Sequence, residues 1–151
     1  MNEAEHYLRL QAMYAAAPIN DFFQPSMTVS KATAVIDVAV AETFFHAAGA
    51  VHGSVYFKML DDAAFFAASS LEREVFVLTT SFTTYLTRPV SAGTLRAEGK
   101  VVNQNRSQFI AEAVLFDGNN KEIGRGNGLF VRSKQLLAQT AGYNSRLVDL
   151  P

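Results

Sequence analysis

The chain has 151 residues, enough for one domain with a real core, since a chain near this size buries roughly 70% of its unfolded surface. Lys and Arg total 13 against 14 Asp and Glu, a formal charge of −1, which argues against a nucleic-acid binder or a protein of anionic membrane surfaces. There is no cysteine, so disulfides, a thiol nucleophile and thiolate-bound zinc are excluded.

The opening MNEAEHYLRLQ is acidic and polar and does not read as a signal peptide. Charge breaks every apolar stretch before about 18 residues, so no membrane span is expected. The expectation is a soluble, cytoplasmic protein with one domain over residues 1–151, an N-terminal helix and loop over 1–25 and a tail over 133–151.

Residues Asn2 to Ala17 are predicted as an amphipathic helix, with Tyr7, Leu8, Leu10, Ala12 and Met13 on the apolar side and Pro18 as its stop. Asn20-Asp21 and Pro25-Ser26 mark a loop. Met27 to Val40 is rich in Thr and Val and reads as one strand or two short ones. Thr43 to Val51 is a connection. From Gly53-Ser54 a helix runs to Ser70, because the segment VYFKMLDDAAFFAASS is rich in Ala, Leu, Met and Phe. Strands follow over Phe76 to Leu86, Thr94 to Val102, Gln108 to Phe116 and Glu122 to Arg132, with a hairpin turn at Asp117-Gly118-Asn119-Asn120. The tail from Ser133 carries a short helix over Gln135 to Gln139 and then frays. Short connections between successive strands imply an antiparallel sheet, and one long helix on such a sheet is an α+β layer architecture.

The central helix is apolar on every side of its wheel and must be buried on every side. The sheet covers one flank only, so the other is expected to meet a second copy of the chain. Two carboxylates, Asp61 and Asp62, interrupt it, and a buried carboxylate is costly unless paired or used. Adjacent helical residues point about 100° apart, so the two cannot share one face. Asp62 follows Lys58 by four residues and is expected to pair with it; Asp61 is assigned to chemistry. The free N–H groups at the helix start, with Gly53 giving close access and Ser54 able to cap, can polarise a carbonyl. Eight residues at 1.5 Å rise put Asp61 roughly 12 Å from Gly53, so the two could act on one carbonyl only from different subunits.

His52-Gly53, with Asp61 nine positions after the histidine and Ala63 beyond it, resembles the helix-opening signature of hotdog-fold acyl-CoA thioesterases, in particular their phenylacetate-degradation, PaaI-like branch. Tyr85-Leu86-Thr87-Arg88-Pro89 and Ser91-Ala92-Gly93-Thr94-Leu95 are similar to the strand end and strand start that follow in that family. The resemblance runs from about Thr33 to Arg132. It implies a hotdog fold of about five to six strands around one buried helix. It makes Asp61 the catalytic nucleophile or general base and gives carbonyl polarisation to the Gly53 N–H of a partner subunit. Thr79 is the nearest counterpart of a hydroxyl residue that assists across the family's dimer. His46 stands where the family has Asn, Ser54 where it has a second glycine, and Asp62 where it has a small or hydroxylated residue. His46 either orients water or takes a proton, or is a loop histidine bonded to backbone; His52 is read as fixing the turn before the helix.

The implied reaction is hydrolysis of an acyl-CoA thioester in a homodimer or dimer of dimers, with coenzyme A as part of the substrate and no other cofactor. Tyr56, Phe57, Phe65 and Phe66 suggest a medium or aryl acyl chain. Arg106, Arg132 and Lys134 either meet the coenzyme phosphates or are solvated turn and tail charges. His46, His52 and an aspartate match no usual metal-ligand spacing. Gly124-Arg125-Gly126-Asn127-Gly128 lacks the helix and Lys-Ser/Thr of a phosphate loop and reads as strand glycines beside a bulky neighbour. The alternative function is a non-catalytic acyl-CoA-binding or regulatory module on the same fold.

Overall fold

The computed structural model describes residues 1–145. In chain order it contains α1 (Glu3–Ala16), α2 (Asn20–Phe23), β1 (Ser26–Ser30), β2 (Thr33–Ala39), α3 (Gly53–Ser69), β3 (Val75–Leu86), β4 (Thr94–Gln104), β5 (Gln108–Phe116) and β6 (Glu122–Leu136), with 3-10 turns at Glu42–Phe44 and Leu137–Gln139. The strands form one antiparallel sheet in the order β1-β2-β4-β5-β6-β3. The long helix α3 packs on it against β2, β3, β4, β5 and β6. The expected α+β layer is therefore present, with β1 and β3 as its outer strands.

The sheet is built to admit the helix closely. Along β4 and β5 the inward positions are Leu95, Ala97, Gly99 and Phe109, Ala111, Ala113, Leu115, with small residues in the middle. They meet Ala63 and Ala64 of α3, both fully buried. A Cβ added at Gly99 would fall 2.2 Å from the Ala63 carbonyl oxygen. Helix and sheet thus touch backbone to backbone, which fixes the depth of Asp61 two residues away.

One strand irregularity also bears on the site. Thr79 pairs with Phe130 but Ser81 with Leu129, so Thr80 is an extra residue bulged out of β3. The bulge changes which residues face α3. Thr79 does so before it, and Phe82 does so after it, with its ring 5.7 Å from Phe57. Phe82 lies over Gly126 and Gly128, where added Cβ atoms would meet its ring at 2.5 and 2.4 Å. The glycine run of β6 is the groove for this ring, as its sequence context indicated.

Several expectations change. The loop after Pro18 contains the single-turn helix α2. Of the two readings of residues 27–40, the two-strand one holds, with the strands joined at Lys31–Ala32. The buried stripe of α1 is His6, Leu10, Met13 and Tyr14, at helical spacing, while Leu8 is exposed. β6 continues to Leu136 because Val75 of β3 offers it a partner, which leaves only a 3-10 turn at Leu137–Gln139 instead of a helix. The tail docks as far as Ser145. Tyr143 is buried, its hydroxyl donates to His6 Nδ1 at 2.7 Å, and Arg9 donates to the Tyr143 and Ser145 carbonyls. His6 Nε2 donates to the Ser69 carbonyl at 2.9 Å, which fixes the tautomer. The remainder of the tail expected to fray lies outside the described residues. Burial of α3 is also incomplete in one chain: Phe57 is 42% exposed, and Lys58, Asp61 and Phe65 are half-buried along the same stripe.

Candidate active site

Asp61 projects from the middle of α3 toward β3. Its Oδ1 accepts a hydrogen bond from the Thr79 hydroxyl at 2.9 Å. Burial pushes its carboxyl up to about 6, with the neighbouring Asp62 charge acting the same way, while the Thr79 bond and the Lys58 charge oppose the rise. A carboxylate of that strength loses its proton near neutral pH, which suits a base. Thr79 was expected to act across a dimer; it reaches the Asp61 of its own chain.

Asp62 turns the other way, as its position on the helix requires. Lys58 Nζ donates to its Oδ2 at 2.5 Å and the Tyr14 hydroxyl at 2.7 Å. Burial and this carboxylate hold the Tyr14 phenol above its ordinary value, so it remains a donor. Asp62 pairs with Lys58 as the i,i+4 spacing predicted, and Asp61 does not. Tyr14 was not foreseen: it lies 48 residues from Asp62, and only its place on the His6-Leu10-Met13-Tyr14 stripe marks it as inward-facing.

At the other end of the helix, His52 is the N-cap. Its Nδ1 accepts from the Ser54 backbone N–H at 3.0 Å and the Ser54 hydroxyl at 2.8 Å. The capping acceptor is therefore the imidazole, and Ser54 serves it as donor, the reverse of the capping role expected for Ser54. With both Ser54 groups engaged, the Gly53 N–H has no partner among the described residues. His46 Nδ1 accepts from the Ala48 N–H at 3.0 Å, so its Nε2 is free to donate. The loop-histidine reading of His46 holds for one nitrogen and leaves the other for a ligand.

Two clefts of about 320 Å³ each lie on this side of the molecule. One, beside Asp61 and Thr79, is walled by Met13, Tyr14, Phe65, Phe66, Phe76 and Leu78. The other, at the helix start, is lined by His46, Val51, Gly53, Tyr56, Thr87 and Arg88. The predicted site residues divide accordingly: Asp61, Thr79, Phe65 and Phe66 gather at the first, and Gly53, His46 and Tyr56 at the second. Tyr56 donates to the Arg88 carbonyl at 2.6 Å, and Phe57 stays on the exposed flank. Arg132 is occupied, bonded to Glu72 at 2.6 Å and to the Asn105 and Arg106 carbonyls, with its guanidinium over Phe109. Arg106 and Lys134 are exposed and join neither cleft. Arg88, quoted in the sequence only as part of an Arg-Pro strand end, is the cation that the fold brings to Gly53. Among the described residues no cluster of three His, Cys, Asp or Glu could hold a metal, and no helix is long and apolar enough to cross a membrane.

A sequence profile of the thioesterase superfamily matches residues 48–123, from the turn before α3 to the start of β6. The chain belongs to the thioesterase superfamily. Its fold is the hotdog fold of PaaI-like proteins. The Escherichia coli PaaI protein from the phenylacetic acid degradation operon superimposes with a TM-score of 0.80 at 18% identity, over 89% of this chain and 97% of that one. A conserved protein of Pseudomonas aeruginosa matches at 0.73 and 20% identity over 83% and 98% of the two chains. A thioesterase of Haemophilus influenzae matches at 0.72 and 15% identity over 80% and 85%. Curated protein sequences yield no match.

Proposed function

We propose that the protein hydrolyses acyl-CoA thioesters as a homodimer, each site combining Asp61 of one chain with the Gly53 N–H of its partner subunit. The observation that carries this reading is Asp61 itself: a carboxyl on the partly open flank of a buried helix, held by Thr79, pushed up to about 6 and facing an apolar cleft. A structural carboxylate would have a cation beside it, as Asp62 does; Asp61 has a hydroxyl and space.

The free edge of β3 supports the dimer. A twelve-residue outer strand with exposed Leu78, Tyr85 and Leu86 is a surface that soluble proteins cover. Leu86 lies at Gly53, and Thr79 lies at Asp61. Antiparallel pairing of two β3 edges about a two-fold axis between Phe82 and Thr83 sets Thr79 against the partner subunit's Leu86. Asp61 then faces the partner's Gly53, an arrangement one chain cannot achieve over roughly 12 Å of helix.

In this geometry the thioester oxygen accepts the partner's Gly53 N–H, supported by the positive end of the helix dipole. Asp61 takes a proton from water as the water oxygen bonds the carbonyl carbon. When the tetrahedral intermediate collapses, the C–S bond breaks and the proton passes from Asp61 to the leaving sulfur. The Nε2–H of His46 is a second donor near the oxygen or the water. Thiol release from a panel of acyl-CoAs is the test. Wild-type turnover with a 10²–10⁴-fold loss of kcat in Asp61→Ala is expected. Saturable binding without thiol release would leave the non-catalytic module instead, and turnover indifferent to Asp61→Ala would remove Asp61 from the chemistry.

A further inference from the structure

The apolar cleft at Asp61 is closed by a segment that the reaction itself does not need. The end of α1 and the residues up to α2 supply Met13, Tyr14, Ala17 and Ile19 to its wall. One polar cluster ties this segment to α3, where the Tyr14 ring also packs edge-on against Phe66. The Tyr14 hydroxyl and Lys58 Nζ both donate to Asp62 Oδ2. Lys58 Nζ also stands 5.1 Å from the centres of the Tyr14 and Phe23 rings, a desolvated cation–π contact. Asn20 ties the segment from behind, its Nδ2 donating to the Tyr14 carbonyl at 2.7 Å. One turn of α3 thus carries both Asp61, which faces the cleft, and Asp62, which holds the opposite wall.

The two clefts differ in polarity in the way the two ends of a thioester of this kind differ. The cleft at Asp61 is walled mostly by Met13, Phe65, Phe66, Phe76 and Leu78, with its polar groups gathered about Lys58, Asp61 and Asp62, whereas that at Gly53 mixes His46, Thr87 and Arg88 with Val51, Tyr56 and Leu86. On the hydrolytic reading above, the carbonyl sits between the first cleft of one chain and the second cleft of the partner subunit, the apolar end enters the first, and the polyanionic thiol leaves through the second. We propose that the Met13–Ile19 segment, pinned by the Tyr14–Asp62–Lys58 cluster, is the end wall of the acyl chamber and sets the largest acyl group accepted: a single aryl ring or a medium-length chain. About 320 Å³ is at the small end of ligand sites, which run from about 300 to 1,000 Å³. The limit is adjustable, because the sheet anchors α1 upstream, at Gln11, which accepts from the Val29 N–H at 3.0 Å, while the wall itself meets α3 through this cluster and the Tyr14–Phe66 ring contact.

The test is a ladder of S-alkyl-CoA thioethers from butyl to hexadecyl, which bind without reacting. Dissociation constants are measured by calorimetry for wild type, Ala17→Trp and Tyr14→Phe, alongside kcat/KM for the matching thioesters. Ala17 is only partly buried, so the indole fills cleft and not core. In the wild type, affinity is expected to rise to a medium chain and then fall. Ala17→Trp moves the fall to shorter chains, with a loss of about tenfold or more for octyl. Tyr14→Phe, which frees the wall from Asp62, moves it to longer chains. Three superimposable ladders, or a wild-type ladder still rising at hexadecyl, would overturn the wall. A ladder that moves as expected with no thioester hydrolysed would sink the hydrolytic reading and leave the wall standing.

Discussion

At the scale of single residues, two adjacent aspartates receive opposite fates from a rotation of about 100°. Asp62 meets a cation and a phenol; Asp61 meets a hydroxyl and a cleft. The proposed mechanism needs Asp61 ionised and burial has raised its pKa, so on that mechanism kcat/KM should fall on the acid side of about pH 6 and level off above it. The Thr79 bond favours the ionised form, so Thr79→Val should carry this limb to higher pH while Thr79→Ser leaves it in place; a pH–rate profile of both variants decides it. Gly53 admits a sharper cut. It opens α3, its N–H is unpartnered among the described residues, and His52 before it is extended at φ −63° and ψ 143°. Proline fits the first helical position and tolerates an extended predecessor. Gly53→Pro should therefore fold, by circular dichroism, yet lose about 10²–10³ in kcat with the amide proposed to polarise the carbonyl. Of these residues, Asp61 stood out in the sequence because its charge interrupts an apolar helix, and Gly53 and His52 because they open that helix in the pattern the family resemblance rests on. Tyr14 and Arg88 did not, since their roles depend on contacts across 48 and 32 residues, which spacing does not encode.

At the scale of elements, the site rests on how deeply α3 sits in the sheet. Gly99 is the point of closest approach, and a methyl group there would strike the Ala63 carbonyl, which cannot rotate away. Gly99→Ala should cost about 3 kcal/mol or more in urea unfolding, and should also displace Asp61, two residues on, so activity should drop beyond the loss of folded protein. The sheet was readable because β4 alternates cleanly and a hairpin turn precedes β6. Boundaries were less so. The β6 strand outlasts its sequence signal because β3 supplies hydrogen bonds as far as Leu136, and the described part of the tail is held by an interaction of Tyr143 with His6 of α1. The apolar wheel of α3 was read as burial all round; in one chain a stripe through Phe57 and Asp61 remains partly open, where a second chain is proposed to lie.

At the scale of the whole molecule, a shared site makes a statistical prediction. Asp61→Asn and Gly53→Pro homodimers should each be nearly inactive. Refolded together in equal amounts, half the dimers are mixed, and each mixed dimer has one site with both native residues. About a quarter of wild-type activity should return on mixing if subunits pair at random. No recovery, with mixed dimers confirmed by native mass spectrometry, would put both residues of each site in one chain.

The extra residue at Thr80 has a consequence for how this fold tolerates change in length. Strand residues alternate in the direction they point, and the bulge resets that count between the hydroxyl that holds the carboxylate and the ring that lies in the glycine groove. Thr79 and Phe82 lie three positions apart yet face the same way because Thr80 is the extra residue, so removing Thr80 would leave them two apart in a regular strand, both still turned to α3. A single-codon insertion between them, with the bulge kept, would instead turn either the Thr79 hydroxyl or the Phe82 ring away from α3, so this strand should accept the loss of a residue at the bulge more readily than the gain of one.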